Sequence, residues 1–483
     1  MGIEVENPLR LRRWDGRPLP LDQLAKPKRR ISLNALMGMG LWALLWLGYN
    51  TNLSPVRNPN FPTGITDLIH GVRAFFPILA AWFAFLLIFS RSNRVFSWIM
   101  GPLGLMLLYA VTGLVSSATL SMHPIVALYF GANYLAIVLV LLAIVLVDDP
   151  LPDLLKVLKL TWAVGTILTL SLLGAIPILG SSAIIETESS PVGMRVYSGT
   201  GTIMGMASTR NTGFARYAAI SALAALPGLM SKGKLFVRII WGVLFTASVY
   251  ALILANGRTE TLAFVASLAV ILGAERAKRT INILVGIAAA ILLGLRGFYS
   301  AFFLYITRTG HIDTTMTGRT ATWEEGLHLL WKSPLIGFGF MADRIYLAAH
   351  MHNAFLHVLV QSGLLGGGGI LLGLAIVWYY LIKYFFLRQP SDKSLIPPEI
   401  PAIFLFMTVS SVAESTFAYF SAAWLLSAPI VAYVMALHRH MQRISRNAAQ
   451  ERVQRVRLAR RNSRALGSPL DVTPSTAGGG IPG

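Results

Sequence analysis

Apolar runs recur from one end of this chain to the other, each long enough or nearly long enough to cross a bilayer. A spanning helix needs about 17–25 mostly apolar residues, and only helices or closed barrels satisfy their own backbone hydrogen bonds in lipid. Hydropathy predicts about twelve spans. They lie near Leu33–Tyr49, Ala74–Phe89, Phe96–Val115, Ile125–Val147, Leu160–Leu179, Gly213–Leu229, Ile239–Ala255, Thr261–Gly273, Ile281–Leu295, Phe355–Ile382, Ala402–Tyr419 and Ala423–Leu437. Charged residues make up only 13% of the 483 positions, about half the share in an ordinary soluble domain, roughly 25%. The expectation is an all-α, polytopic transmembrane helical bundle in which one pair of the shorter runs could be re-entrant.

The formal net charge of +20 invites a nucleic-acid reading, but its distribution points elsewhere. Thirty of the 41 Lys and Arg lie before Ser32, in short loops on alternate sides, or after Leu437. That is the positive-inside pattern, and with an even number of spans it places both termini in the cytoplasm. The expected organisation is a basic cytoplasmic segment 1–32, a transmembrane domain 33–437 with a long periplasmic loop 296–354, and a basic, partly disordered cytoplasmic tail 438–483. The basic ends suit anionic membrane lipids, and no nucleic-acid partner is expected. No cleavable signal peptide is expected either, because the first thirty residues are too long and too charged for one. The absence of cysteine rules out disulfides and thiolate chemistry.

Eleven basic residues remain on the outer side or within the apolar segments: Arg57, Arg73, Arg195, Arg210, Arg216, Arg258, Arg296, Arg308, Arg319, Lys332 and Arg344. Ten are arginine, whose planar fork grips phosphate oxygens in pairs where lysine acts as a point charge. The bias suggests anion recognition, although such residues can also pair with outer acids or snorkel to lipid phosphates. Arg258 sits in a minimal turn between two spans, so its head must lie at or inside the membrane boundary. Arg319 lies in the long loop, and Arg195 and Arg210 precede the span near Gly213. Two acids, Glu414 and Glu260, fall at the edges of apolar segments; Glu414 is expected to pair with one of the outer arginines.

Within the long loop, Trp323, Leu327, Leu330 and Trp331 fall at i, i+4, i+7 and i+8, predicting an amphipathic helix that Pro334 helps to end. Such a helix either lies in the headgroup layer or packs on the bundle. Downstream comes Ala348–Gly369, in which His352-Asn353 precedes a glycine-rich apolar helix. His352 is the strongest general-base candidate of the loop. His350 and His357 flank it, but positions two apart on a helix diverge and no acid or cysteine nearby in sequence completes a metal set. No metal and no cofactor is therefore expected. The Gly366–Gly369 run lacks the Lys-Ser/Thr of a phosphate loop and fits close helix packing instead.

Two motifs resemble those of the O-antigen ligase and polymerase family of bacterial envelope glycan transferases. One is Arg-x3-Leu, here Arg258 to Leu262; the other is His-Asn-x9-Gly-x2-Gly, here His352-Asn353 to Gly366. Their order and the long loop between them also fit. The resemblance implies an inverting, metal-independent transfer of a glycan from undecaprenyl pyrophosphate at the periplasmic face of the bacterial inner membrane. The acceptor would be a hydroxyl of lipid A-core in a ligase, or a second lipid-linked glycan in a polymerase. It maps the family's histidine onto His352 and its principal arginines onto Arg258 and Arg319, with Asn353, Arg210 and Arg195 as further substrate-binding candidates. The upstream loop departs from the family by lacking a Pro-Asn pair. A transporter of lipid-linked oligosaccharide is the rival class, disfavoured because the polar candidates cluster at one face rather than at mid-membrane.

Overall fold

The computed structural model describes residues 33–49, 72–91, 95–179, 185–186, 209–231, 233–255, 257–274, 319–387 and 396–465. Among them eight helices are long and apolar enough to span a membrane, making this a multi-pass membrane protein. They correspond to eight of the twelve expected runs. Leu33–Tyr49 and Ala402–Tyr419 become shorter apolar helices, Leu33–Gly48 and Glu399–Ser410. Thr261–Gly273 becomes the 17-residue helix Arg258–Ala274, and Ile281–Leu295 lies outside the described residues. The described residues up to Ala436 fall in one compact unit and those from Leu437 onward in a second; the site described below lies in the first.

Among the described residues, the helices that frame the site are α1 Leu33–Gly48, α2 Phe76–Ser90, α3 Pro102–Thr119, α4 Pro124–Val145, α5 Leu151–Leu179, α6 Asn211–Met230, α7 Leu235–Leu254 and α8 Arg258–Ala274. They continue with α9 Arg319–Lys332, α10 Ala342–Tyr346, α11 Ala354–Leu381, α12 Glu399–Ser410 and α13 Ala422–Ala465. A two-stranded parallel ladder, β1 Ile185–Glu186 and β2 Thr209–Arg210, is the described departure from an all-helical chain. Proline stands at the start of α2, α3 and α4, where its missing N–H costs nothing and its fixed φ suits the first turn. Arg73, one of the outer basic residues, is buried and donates to the carbonyls of Leu47 (3.0 Å) and Tyr49 (2.6 Å) at the end of α1. It satisfies carbonyls that a helix end leaves open.

Helix α11 is the spine of the site. It packs along α3, and glycines set the approach. A side chain at Gly366 would lie 3.0 Å from Thr112 Cβ and 3.2 Å from Tyr109 Cα. Small residues permit this closeness where lipid supplies no hydrophobic drive between helices.

Gly363 does something different. Its φ of +61° breaks α11, and a side chain there would meet the Leu335 backbone at 2.2 Å. The break frees polar groups that the segment 334–339 takes up. Phe338 N donates to Val360 O (2.9 Å) and Gly339 N to Gln361 O (2.8 Å), while Leu364 N donates to Pro334 O (2.7 Å) and Leu365 N to Leu335 O (3.0 Å). Just beyond, Phe340 is fully buried, in the gap that Gly113 of α3 and Gly131 of α4 leave open. Tyr109 and Tyr134 flank its ring at 5.5 and 5.7 Å between centroids. The described part of the expected outer loop, 319–354, is thus stitched into the bundle, and it carries His352 and Arg319 with it.

The predicted amphipathic helix exists as α9, though its faces are divided. Leu330 is buried with Leu329 against Met351, Leu356 and Val360, and the Trp323 indole donates to Met351 O at 2.6 Å. Leu327 and Trp331 point outward, Trp331 being 71% exposed. One helix therefore both packs on the bundle and presents an apolar edge.

Candidate active site

Four elements converge on Glu414. It sits in the non-helical connection 411–421 between α12 and α13, and its carboxylate is buried. Arg216, in the second turn of α6, reaches Glu414 Oε2 at 3.1 Å and Glu260 Oε1, in the first turn of α8, at 3.4 Å. The same guanidinium donates back to Thr212 O (3.0 Å) and Thr212 Oγ1 (3.2 Å). Arg319, the first residue of α9, lies 3.7 Å from Glu414 Oε1 and donates to Ala413 O at 2.6 Å. His352 Nδ1 lies 3.4 Å from Glu414 Oε2.

Burial alone would raise the Glu414 carboxyl, but Arg216 first, then His352 and Arg319, hold it down at about 2. A buried carboxylate so paired stays ionised and fixes the directions of its cationic neighbours. The side chains of His352 and Arg319 remain about a fifth exposed, at 23% and 22%, whereas Arg216 is enclosed. With Nδ1 turned toward Glu414, His352 has Nε2 left for a substrate. Arg319 keeps N–H groups beyond the two contacts it makes.

His352 adopts φ of +49°, the left-handed region, as do Met341 (+63°) and Ala348 (+49°). Side chains with a Cβ pay strain there and persist only where surroundings over-determine the backbone. On its C-terminal side Asn353 is the N-cap of α11, Oδ1 accepting from Leu356 N at 3.0 Å, and Ala354 N donates to Ser411 O at 2.9 Å. The cap gives Asn353 a structural task beside the substrate contact that the family resemblance implies for it.

Beside this cluster lies a second, sealed one. Asp343 of α10 is fully buried; Oδ2 takes His350 Nδ1 at 2.8 Å and Met351 N at 3.3 Å, and Oδ1 lies 3.1 Å from His357 Nε2. His357 Nδ1 meets Ser415 Oγ at 2.9 Å. Turned with its oxygen toward His357 Nε2 (2.7 Å) and Met341 N (3.2 Å), the Gln361 amide also matches Ala418 O (2.8 Å) as donor. Burial would raise the Asp343 carboxyl, but His357 and then His350 hold it well below the usual carboxylate range. Burial pushes His350 down to about 4 against the pull of Asp343. The two clusters touch: the His350 and His352 rings stand edge to face with centroids 4.4 Å apart. The expectation that no acid completes a set with His350 and His357 is corrected here, because folding brings Asp343 to both. Asp343 is seven residues before His350 and joins it only through the turn after α10.

Of the sequence candidates, His352 and Arg319 meet at Glu414, and Glu414 pairs with outer arginines as expected. Arg258 opens α8 two residues before Glu260 and is half-buried, four residues beyond the end of α7. Arg210 lies in β2, and Arg195 falls outside the described residues. Arg216 was not singled out. The signal was present, since an arginine inside the expected span near Gly213–Leu229 is an intramembrane charge in need of a partner.

Residues 242–371 match the family model described as O-antigen ligase. That segment holds both sequence motifs, Arg319, His352 and Asp343, so the resemblance to O-antigen ligase-type membrane proteins is shown there. A curated relative, the exopolysaccharide production protein ExoQ of Rhizobium meliloti, is 32% identical over 71 residues, 11% of this chain and 16% of the relative. The chain thus spans about 16% of the length of the curated relative it matches.

Proposed function

We propose that the protein transfers a glycan from undecaprenyl pyrophosphate to a sugar hydroxyl at the periplasmic face of the bacterial inner membrane, with both termini in the cytoplasm. The observation that carries this is the convergence of His352, Arg319 and Arg216 on one buried carboxylate within a membrane bundle. In an inverting transfer, the acceptor oxygen attacks the anomeric carbon from the face opposite the pyrophosphate. The bond from that carbon to the phosphate oxygen breaks, its electron pair leaving with the pyrophosphate. The acceptor proton passes to His352 Nε2, with Nδ1 held by Glu414. Such base catalysis is worth about 10²–10⁴-fold.

Negative charge grows on the departing pyrophosphate, so guanidinium groups held in a partly dry site stabilise the transition state more than the ground state. Arg319 and Arg258 take that role. Arg216 is already engaged with Thr212, Glu414 and Glu260 and serves as a brace. Arg210 and Arg195 are further contacts for the donor, and no metal or cofactor is assigned a step.

The preferred acceptor is lipid A-core, in keeping with the description of the matched family. The ExoQ similarity favours a second reading, polymerisation in which another lipid-linked glycan is the acceptor. Purified His352→Ala is expected to bind labelled donor while releasing undecaprenyl pyrophosphate at least 100-fold more slowly; turnover near the wild-type rate removes the base assignment. Deletion of the gene separates the acceptors. Bare lipid A-core on a lipopolysaccharide gel means ligase, and an unchanged gel with exopolysaccharide lost means polymerase.

A further inference from the structure

The mechanism above leaves Asp343 without a role, although it is a fully buried carboxylate beside the proposed base. It is reached through backbone as well as side chains. Asp343 Oδ2 accepts from Met351 N, and on the other side of that residue Met351 O accepts from the Trp323 indole. Residue 351 is therefore fixed at both its N–H and its carbonyl. His352 follows at once in the left-handed region, and Asn353 then starts α11 with its own cap. Between two fixed points, His352 has little freedom to relax toward negative φ.

The same carboxylate oxygen holds His350 Nδ1 at 2.8 Å, and that imidazole stands edge to face against His352. Asp343 thus controls His352 twice, through the preceding peptide and through the ring beside it. We infer that Asp343 is a positioning residue for His352: it holds the strained 348–352 turn in the one conformation that aims the imidazole between Glu414 and the substrate. A bound metal is the competing use of Asp343, His350 and His357, whose ligand atoms all lie within 4.8 Å of one another. The separation of 2.8 Å between His350 Nδ1 and Asp343 Oδ2 is that of a charge-assisted hydrogen bond, and Met351 N uses the same oxygen. Hydrogen bonding accounts for the Oδ2 side of this geometry, while Oδ1, 3.1 Å from His357 Nε2, makes no hydrogen bond among the described residues.

The inference rests on His352 acting as the base, and one set of variants separates the two claims. Full-length protein in detergent or nanodiscs carries Asp343→Ala, Asp343→Asn, His352→Ala or the double change Asp343→Ala with His352→Ala. For Asp343→Ala, kcat for release of undecaprenyl pyrophosphate is expected to fall about 100-fold, the size of effect a displaced catalytic group produces. The donor KM should stay within twofold. Asp343→Asn keeps an acceptor at the same place and should recover to within about tenfold of wild type. In the His352→Ala background the Asp343→Ala change should cost nothing further, as expected for residues acting as one unit.

Hydrogen exchange over 348–353 should quicken in Asp343→Ala and not in Asp343→Asn. Wild-type kcat in Asp343→Ala overturns the inference, as does an effect confined to KM or a full additive loss in the double variant. If Asp343→Ala does not fold, Asp343→Asn decides, and a kcat as low as that of His352→Ala overturns the inference. Stoichiometric zinc in the wild type that Asp343→Asn loses would assign the three side chains to metal instead and overturn it too. Active His352→Ala sinks the base assignment itself; an inactive His352→Ala beside a fully active Asp343→Ala sinks only the positioning role.

Discussion

Two buried carboxylates stand side by side in this protein, and they have been given opposite surroundings. Glu414 faces one enclosed arginine, Arg216, and two groups that keep part of their surface open, Arg319 and His352, whereas Asp343 faces two histidines and a backbone N–H in a closed pocket. Neighbouring residues of one connection serve both, since Glu414 enters the first cluster and Ser415 meets His357 of the second. A carboxylate with partly exposed partners organises groups that must still meet a substrate. A carboxylate sealed away from solvent organises the backbone beside it. The difference lies less in the acids than in which of their partners reach solvent.

That contrast can be broken most severely at Glu414. Glu414→Ala leaves the buried Arg216 with Glu260 as its remaining acid partner, and removing one partner of a buried pair costs up to about 3–5 kcal/mol. Thermal unfolding in detergent should record the loss, together with near-complete loss of transfer. Glu414→Met, which fills the space without restoring the charge, should remain comparably impaired in transfer; a fully active Glu414→Met would mean that the cluster is packing alone.

Gly363→Ala tests the seam that carries both clusters. It places a Cβ against the Leu335 backbone at a positive φ, so melting should fall by the equivalent of about 2 kcal/mol or more. An unchanged melting point would show that the break in α11 is not required.

Acid sharpens the comparison, because the two clusters should fail in separate windows. Glu414 titrates at about 2 when folded against an ordinary 4.5, so the unfolded chain binds the extra proton between those values. Its stabilisation is complete above about pH 4.5 and lost as pH falls toward 2. His350 titrates at about 4 against an ordinary 6.5; the unfolded chain again protonates first, and stability drains between pH 6.5 and 4. His350→Gln should remove the upper window and leave the lower one in melting curves recorded across pH. A single unchanged transition would mean that the clusters do not titrate independently.

The smallest effect is expected at Asn353. Replacing an N-cap by alanine costs about 1 kcal/mol, so Asn353→Ala should lower the melting point by a few degrees with donor KM little changed. A tenfold or greater rise in KM would show that Asn353 also touches the substrate, as the family resemblance implies.

Much of the bundle was legible because the bilayer imposes one rule on every span, and long apolar runs obey it whatever their neighbours do. Arg258 in its short turn, the helix containing Trp323 and the helix begun by Asn353 all followed from local pattern. The dual motif around Arg258 and His352 marked the segment that the family comparison also matches. Ala402–Tyr419 misled, since its apolar character conceals a helix that stops at Ser410 so that the chain can turn Glu414 inward.

What tertiary structure alone decided is which charges meet. Arg216, Glu260, Arg319, His352 and Glu414 come from five separate segments, and nothing in spacing or composition relates α6 to the connection after α12. Asp343 finds its histidines because Gly363 interrupts α11 and lets 334–339 lace into the gap, carrying α10 inward. Apolar periodicity is written in the sequence because each helix meets lipid by itself. Pairings between buried charges are not, because each is the joint outcome of several packed segments, and the cost of leaving any one charge unpaired is settled only when all are in place.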